Sequence, residues 1–207
     1  MSSIATTGKL IVKPLLSAAR KVAWQLSVLK ECRAHQHPDP YIRRIEAIHR
    51  LLNIPPDYAA RGIPLQRECD PLELIRIQGT DRRVQINRTA FYAYEAMRSA
   101  AAADGLTLSI RWAYRSVNEQ CYFILDRLRW GHQINELLTW VAAPGFSEHH
   151  TGHAIDIDSS AATEPFENTP TFLWLQENAA KFDFSMSFPA TNTHGIIFEP
   201  WHWLHQV

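Results

Sequence analysis

Two short segments concentrate side chains that bind metal and move protons. The first, Ser147 to Asp158 (SEHHTGHAIDID), holds His149, His150, His153, Asp156 and Asp158. The second, Phe198 to His205 (FEPWHWLH), holds Glu199, His202 and His205. Each sets histidine beside carboxylate. Together they offer three metal ligands and a spare carboxylate, the set a catalytic zinc site needs. Three protein ligands leave the fourth position open to water, and a carboxylate outside the ligand set can take that water's proton. Spacing alone does not choose the ligands. His149 and His153 would share a helix face, but Gly152 between them disfavours a helix. Asp156 and Asp158 fall on one face of a strand. Pro200 interrupts any regular ladder between Glu199 and His202, which lets one ligate while the other stands beside the metal.

These residues need a scaffold, and the chain supplies its signals. Asn87 caps a predicted helix from Thr89 to Ala103, with Phe91, Tyr94, Met97 and Ala101 on its buried side and Asp104-Gly105 at its end. Leu106, Leu108, Ile110 and Trp112 then alternate with polar residues, the period of a half-buried strand. A turn at 113–116 leads into a helix over Val117 to Trp130, and another helix is expected over Ile134 to Trp140. HAIDID at 153–158 reads as a short strand. Thr169-Pro170 starts a helix over Thr171 to Lys181, and Gly195 to Phe198 reads as a further strand. Upstream, Tyr41 to Leu52 reads as a helix stopped before Pro55-Pro56, and 53–75 as loop with short extended pieces. Residues 1–35 read as an N-terminal helical extension, with Leu15, Ala19, Val22 and Leu26 at helical spacing, ahead of one domain over 36–207. Strands separated by helices and loops indicate an α+β fold.

Composition narrows the class. A formal net charge of zero excludes the basic footprint of a nucleic-acid binder. Ten histidines and seven tryptophans exceed what a chain of 207 residues needs, a further reason to look for a metal. Cys32, Cys69 and Cys121 are odd in number and widely spaced, which argues against a disulfide framework and a cysteine zinc knuckle. Arg20 and Lys21 split the apolar run from Leu15 to Leu29, unlike a secretory signal, and no stretch has the length of a transmembrane helix. The expectation is a cytoplasmic protein. His132, His150, His194 and His205 read as surface or core histidines, and Trp112, Trp140 and Trp174 as core. Asp158 is either a partner that orients a ligand histidine or an exposed carboxylate at a strand end.

The order of residues also carries a resemblance. Ser147, His149, Gly152, Ala154 and Asp156 form Ser-x-His-x-x-Gly-x-Ala-x-Asp, followed by Glu199-Pro-Trp-His202 and preceded by Tyr114-Arg115-Ser116 with Gln120. Over roughly residues 70–205 this resembles the VanY-type D-alanyl-D-alanine carboxypeptidases, which share a fold with the zinc-binding signalling domain of hedgehog proteins. The resemblance implies a small, mainly antiparallel sheet flanked by helices, and Zn2+ held by His149, Asp156 and His202. It implies Glu199 as the general base, which later protonates the leaving amine, and Arg115 as the group that stabilises the oxyanion. Ser147, Gln120 and Ser116 would contact the substrate, the first two at its terminal carboxylate, and Trp201 would wall the pocket. The chain departs from many members in carrying Trp203-Leu204-His205 after the second histidine.

The implied substrate is a peptidoglycan-derived stem peptide losing its terminal D-alanine. A non-catalytic zinc module of the same fold would have no need of Glu199 or Arg115. A wall-cutting endopeptidase would often carry a separate binding domain, which is not seen. The D,D bond of a pentapeptide and the L,D bond of a tetrapeptide are both open to this chemistry. A cytoplasmic setting favours the tetrapeptide returning from wall turnover, because trimming the pentapeptide there would remove the precursor of wall synthesis. The N-terminal extension could serve a partner contact or a homo-oligomer.

Overall fold

A computed structural model describes residues 16–34, 36–78, 83–158 and 164–207. Its first helix, α1 (Ala18–Arg33), carries Trp24, Val28 and Cys32 toward the body of the protein. Val22 and Leu26 lie on the other side, 54% and 61% exposed. The spacing thus gives a helix, but the stripe it marked is the outer one; Leu15 lies outside the described residues. α1 packs on α2 (Pro40–Leu52) and is tied to it by Arg50 and Glu31 at 3.0 Å. Asp39 caps α2 by accepting from the backbone N–H groups of Tyr41 and Ile42, and Pro40 occupies the first turn, where its missing N–H costs nothing.

The stretch 53–75 contains two single-turn 3-10 helices, Tyr58–Arg61 and Pro71–Glu73. A hairpin not anticipated from the sequence follows, β1 (Leu74–Gln78) with β2 (Arg83–Asn87). Asn87 then accepts from Thr89 N–H at 2.9 Å and opens α3 (Arg88–Ala103), which buries Ala90, Tyr94, Met97 and Ala101. β3 (Ser109–Trp112) leads to α4 (Val117–Arg129), opened by a capping box in which Ser116 and Glu119 satisfy each other's backbone N–H groups. α5 is a single turn, Ile134–Leu137, shorter than the helix expected to Trp140.

β4 (Ala154–Asp158) comes next. α6 (Pro170–Asn178) ends in a 3-10 turn to Phe182, and β5 (Phe184–Met186) and β6 (His202–His205) close the described chain. The main sheet is antiparallel throughout, in the order β3-β4-β6-β5. The strand expected at Gly195–Phe198 does not form. There Ile196 sinks into the core, and Ile197 N–H donates to the Thr139 carbonyl instead of joining a ladder. The α+β reading holds, with six α-helices around small antiparallel sheets among the described residues.

Two apolar cores flank the site. One gathers Ile45, Ile48, Leu52 and Tyr58 with Val117, Ile124, Leu137 and Phe146, beneath α2, α4 and α5. The other joins α3 and α6 to one face of the main sheet through Ile86, Met97, Ile155, Ile157, Leu175 and Trp203. Each fully buried large side chain stabilises the fold by roughly 1.5–3 kcal/mol. Segment 146–157 runs from the first core, at Phe146, to the second, at Ile155 and Ile157. Both ends of the motif-bearing segment are therefore anchored. Among the described residues, no helix is long and apolar enough to cross a membrane.

Candidate metal centre

His149 sits on a 3-10 turn, Glu148–Thr151, closed by Gly152 in the left-handed region at φ 73°. A Cβ on Gly152 would stand 3.1 Å from the Asn87 backbone nitrogen, so the position needs glycine for both its φ and its space. Asn87 N–H donates to the Gly152 carbonyl at 2.9 Å, fastening the turn to the start of α3. Asp156 and His202 are cross-strand partners in the β4–β6 register and so project from the same face of the sheet.

These placements bring three donor groups together. His149 Nε2 is 3.3 Å from Asp156 Oδ1, and His202 Nδ1 is 3.0 Å from the same oxygen. One ligand atom from each residue falls within 4.8 Å of the others, and all three residues are buried. Zinc at its usual distances of roughly 2.0–2.2 Å from N and O separates tetrahedral ligands by about 3.3 Å, which suits both contacts. Burial holds the His149 imidazole below its ordinary pKa, in the neutral form that ligates. Burial pushes the Asp156 carboxyl up, but the charges and hydrogen bonds of the two histidines outweigh it, and the group stays ionised far below the usual range. Two imidazoles and one carboxylate, drawn together and screened from water, fit zinc.

The other histidines left open by spacing have partners of their own. His150, buried next to His149, faces away from the cluster. It accepts from Gly145 N–H at 3.0 Å through Nε2 and donates to the Arg115 carbonyl at 2.6 Å through Nδ1. His153 pairs with His205, their Nδ1 atoms 3.2 Å apart and their rings stacked. Asp158 lines the cavity but, among the described residues, hydrogen-bonds to no ligand histidine.

The carboxylate that does bond one of these histidines is Glu148, which was not singled out from the sequence. His202 Nε2 donates to Glu148 Oε2 at 2.8 Å, and Ser187 Oγ donates to the same oxygen at 2.7 Å. Burial raises the Glu148 carboxyl, yet the hydrogen bond and charge of His202 hold it below its ordinary value. Its only signal in the sequence was its place between two motif residues, Ser147 and His149.

Glu199 stands beside the cluster without belonging to it. Its Oε2 is 4.0 Å from His202 Nδ1, and its backbone N–H donates to the Phe188 carbonyl at 3.1 Å. Burial pushes its carboxyl up to about 7; the neighbouring Asp156 and Glu148 add to that, and His202 and Arg115 oppose it. A carboxyl near neutrality can both accept and return a proton.

A cavity of about 580 Å³ opens over the cluster, with Arg115, Gln120, Ser147, Glu199 and Trp201 in its wall. Arg115 is held by its backbone: its N–H donates to the His149 carbonyl at 3.0 Å while its own carbonyl accepts from His150. Gln120 donates to the Ala142 carbonyl and keeps a buried Oε1 with no hydrogen-bond partner among the described residues. Ser116 is not in the wall. It is the cap of α4, with its hydroxyl bonded to Glu119, and it stands outside the cavity lining where a substrate contact was expected. Of the tryptophans expected as core, Trp112 lines the cavity, Trp140 packs against the first core and also lines the cavity, and Trp174 packs against the second core and stacks on Phe182.

Residues 83–206 match the family model described as VanY, D-alanyl-D-alanine carboxypeptidase. A D-alanyl-D-alanine carboxypeptidase of Enterococcus faecalis is 32% identical over 115 residues, covering 50% of this chain and 42% of that protein. Among solved structures, VanYB in complex with D-alanine-D-alanine superposes with a TM-score of 0.56 at 27% identity, over 69% of this chain and 80% of that one. The LdcB LD-carboxypeptidase does so with a TM-score of 0.54 at 30% identity, over 69% of this chain and 66% of that one. The chain spans less than half the length of the first curated relatives it matches, between 41% and 45%.

Proposed function

From the premise that this chain belongs to the VanY family of D-alanyl-D-alanine carboxypeptidases, we propose that it is a zinc-dependent carboxypeptidase that removes the terminal D-alanine of peptidoglycan stem peptides. The observation that carries this reading is Glu199. It is a buried carboxylate beside three candidate ligands, outside their set, with its carboxyl raised to about 7. A module that only bound metal would gain nothing from burying such a group.

His149, Asp156 and His202 would hold the ion. When bound, zinc supplies Lewis-acid chemistry, polarising a carbonyl and making water acidic near neutral pH. Glu199 takes the proton of the attacking water on its carboxylate and delivers it to the leaving D-alanine nitrogen. The Arg115 guanidinium, carried on a backbone fixed by contacts to His149 and His150 and lying over the Trp112 ring, meets the negative charge that develops on the scissile carbonyl oxygen. Ser147 and the remaining N–H of Gln120 receive the terminal carboxylate, and Trp201 closes the cavity wall.

The bond we assign is the L,D bond of the tetrapeptide, in recycling of wall fragments. The likeness to LdcB, which is named an LD-carboxypeptidase, supports this. So do three cysteines that remain free thiols, as in a reducing compartment. The test is competition between defined tetrapeptide and pentapeptide stems, read by mass. Loss of D-alanine from the tetrapeptide first is expected. Loss from the pentapeptide first would move the assignment to the D,D bond, and no loss from either would overturn the enzyme reading.

A further inference from the structure

We infer that Glu148 is a positioning residue for the metal, acting through His202; the inference rests on the zinc reading above. The two nitrogens of an imidazole point in diverging directions, so one ion cannot engage both. Nδ1 of His202 faces Asp156 Oδ1 at 3.0 Å, the oxygen that His149 Nε2 also approaches, at 3.3 Å. Nε2 faces the other way and meets Glu148 Oε2 at 2.8 Å. An ionised carboxylate is an acceptor only, so Nε2 must carry the proton. In the neutral ring, Nδ1 then carries the lone pair. Glu148 thereby selects the tautomer that ligates and fixes the rotation of the ring about its axis.

Glu148 is itself held. Ser187 Oγ donates to the same oxygen at 2.7 Å, and both His202 and Glu148 are nearly closed to water, at 3% and 10% side-chain exposure. Ser187 precedes Phe188, whose carbonyl accepts from Glu199 N–H and whose ring lies against His202, the centroids 5.3 Å apart. One short stretch after β5 thus braces the ligand, its orienting carboxylate and the candidate base. His149 has no such support among the described residues, where its buried Nδ1 finds no hydrogen-bond partner. The pair formed by Glu148 and His202 joins residues 54 positions apart.

The test measures zinc itself. Dissociation constants for the wild type, Glu148→Ala and Glu148→Gln come from competition with a chromophoric chelator. Long-range proton–nitrogen spectra of the zinc-loaded proteins report the His202 tautomer. Removing an orienting partner costs about 10–100-fold in metal affinity, and that loss is expected for Glu148→Ala. Glu148→Gln keeps an acceptor for Nε2–H and should recover most of the affinity. The wild-type spectrum should show Nε2–H with the metal on Nδ1. Unchanged affinity in Glu148→Ala, or metal on Nε2 of His202 in the wild type, would overturn the inference. If Glu148→Ala does not fold, the wild-type and Glu148→Gln spectra still decide it. Absence of zinc binding by the wild type would instead defeat the zinc reading.

Discussion

His149 and His202 are both offered as ligands, yet they are held in opposite ways. His149 is placed by backbone: a 3-10 turn closed by Gly152, an anchor from Asn87 N–H, and its own carbonyl accepting from Arg115 N–H. Its outer nitrogen, Nδ1, is buried and finds no hydrogen-bond partner among the described residues. His202 is placed by side chains, with Asp156 at one nitrogen and Glu148 at the other. Backbone placement is written into local sequence, because a turn and a glycine serve one short segment. Side-chain placement is written across the chain, in partners that only folding brings together. The two halves should therefore fail differently when perturbed.

The largest effect comes from removing either ligand. His149→Ala and His202→Ala should each abolish stoichiometric zinc and with it the release of D-alanine, read by metal analysis and product mass. Full zinc content in one variant would mean that the corresponding half is not part of the metal site. Next comes Glu199, which belongs to neither half's ligand set. Glu199→Ala should keep zinc and lose roughly two to four orders of magnitude in turnover, the usual weight of general acid–base catalysis. Near-normal turnover in that variant would assign the proton transfer to another group.

Gly152→Ala probes the half held by backbone. A Cβ at φ 73°, 3.1 Å from the Asn87 nitrogen, is both strained and crowded. The expected cost is about 2 kcal/mol of folding stability, seen in denaturant titration of the metal-free protein. Zinc affinity should fall as well, since the turn carries His149. A variant as stable as the wild type would show that the turn can relax, and that His149 depends on some other support.

The same contrast explains what the sequence disclosed. α3 announced itself through the Asn87 cap and its apolar spacing, and α4 through the turn at 113–116, because caps, turns and helix faces are local. The segment around His149 was legible as a resemblance in the order of its residues, while spacing left its ligands open. Spacing could not separate Asp156 from Asp158; the β4–β6 register does, by setting Asp156 opposite His202. Glu148 was invisible, since nothing near it in the chain reveals a contact to residue 202. β5 and β6 are too short for a periodic signal, and the apolar pair Ile196-Ile197 imitated a strand while serving as a core plug and a loop anchor. Val22 and Leu26 misled similarly: spacing marks a stripe on α1 but does not say which stripe meets the body of the protein.

Acid should separate the two halves in the metal-free protein. His150 braces the backbone-held half, accepting from Gly145 and donating to the Arg115 carbonyl, and both of its nitrogens are used as a neutral ring. Burial depresses its pKa from an ordinary 6.5 to about 4; the hydrogen bond to Arg115 opposes that, and the Arg115 charge adds to it. As pH falls through 6.5 the unfolded chain takes up a proton at His150 that the folded chain refuses, so stability is lost between about 6.5 and 4. At 1.36 kcal/mol per pKa unit, the loss from this residue is on the order of 3 kcal/mol. His202 behaves oppositely. Burial disfavours its charge, but the hydrogen bonds and charges of Asp156 and Glu148 prevail and hold its pKa well above the ordinary value. Its contribution is therefore complete below the unfolded pKa and is lost only as pH rises through the raised one. Over the acidic window, then, the His150 brace weakens while the His202 pair keeps its grip. Denaturant titrations of chelator-treated wild type and His150→Gln from pH 7.5 to 4.5 give the measurement. The wild type should lose stability more steeply than the variant, because glutamine binds no proton in either state. Equal slopes would show that His150 is protonated within the folded protein, and that the backbone-held half draws its acid sensitivity from elsewhere.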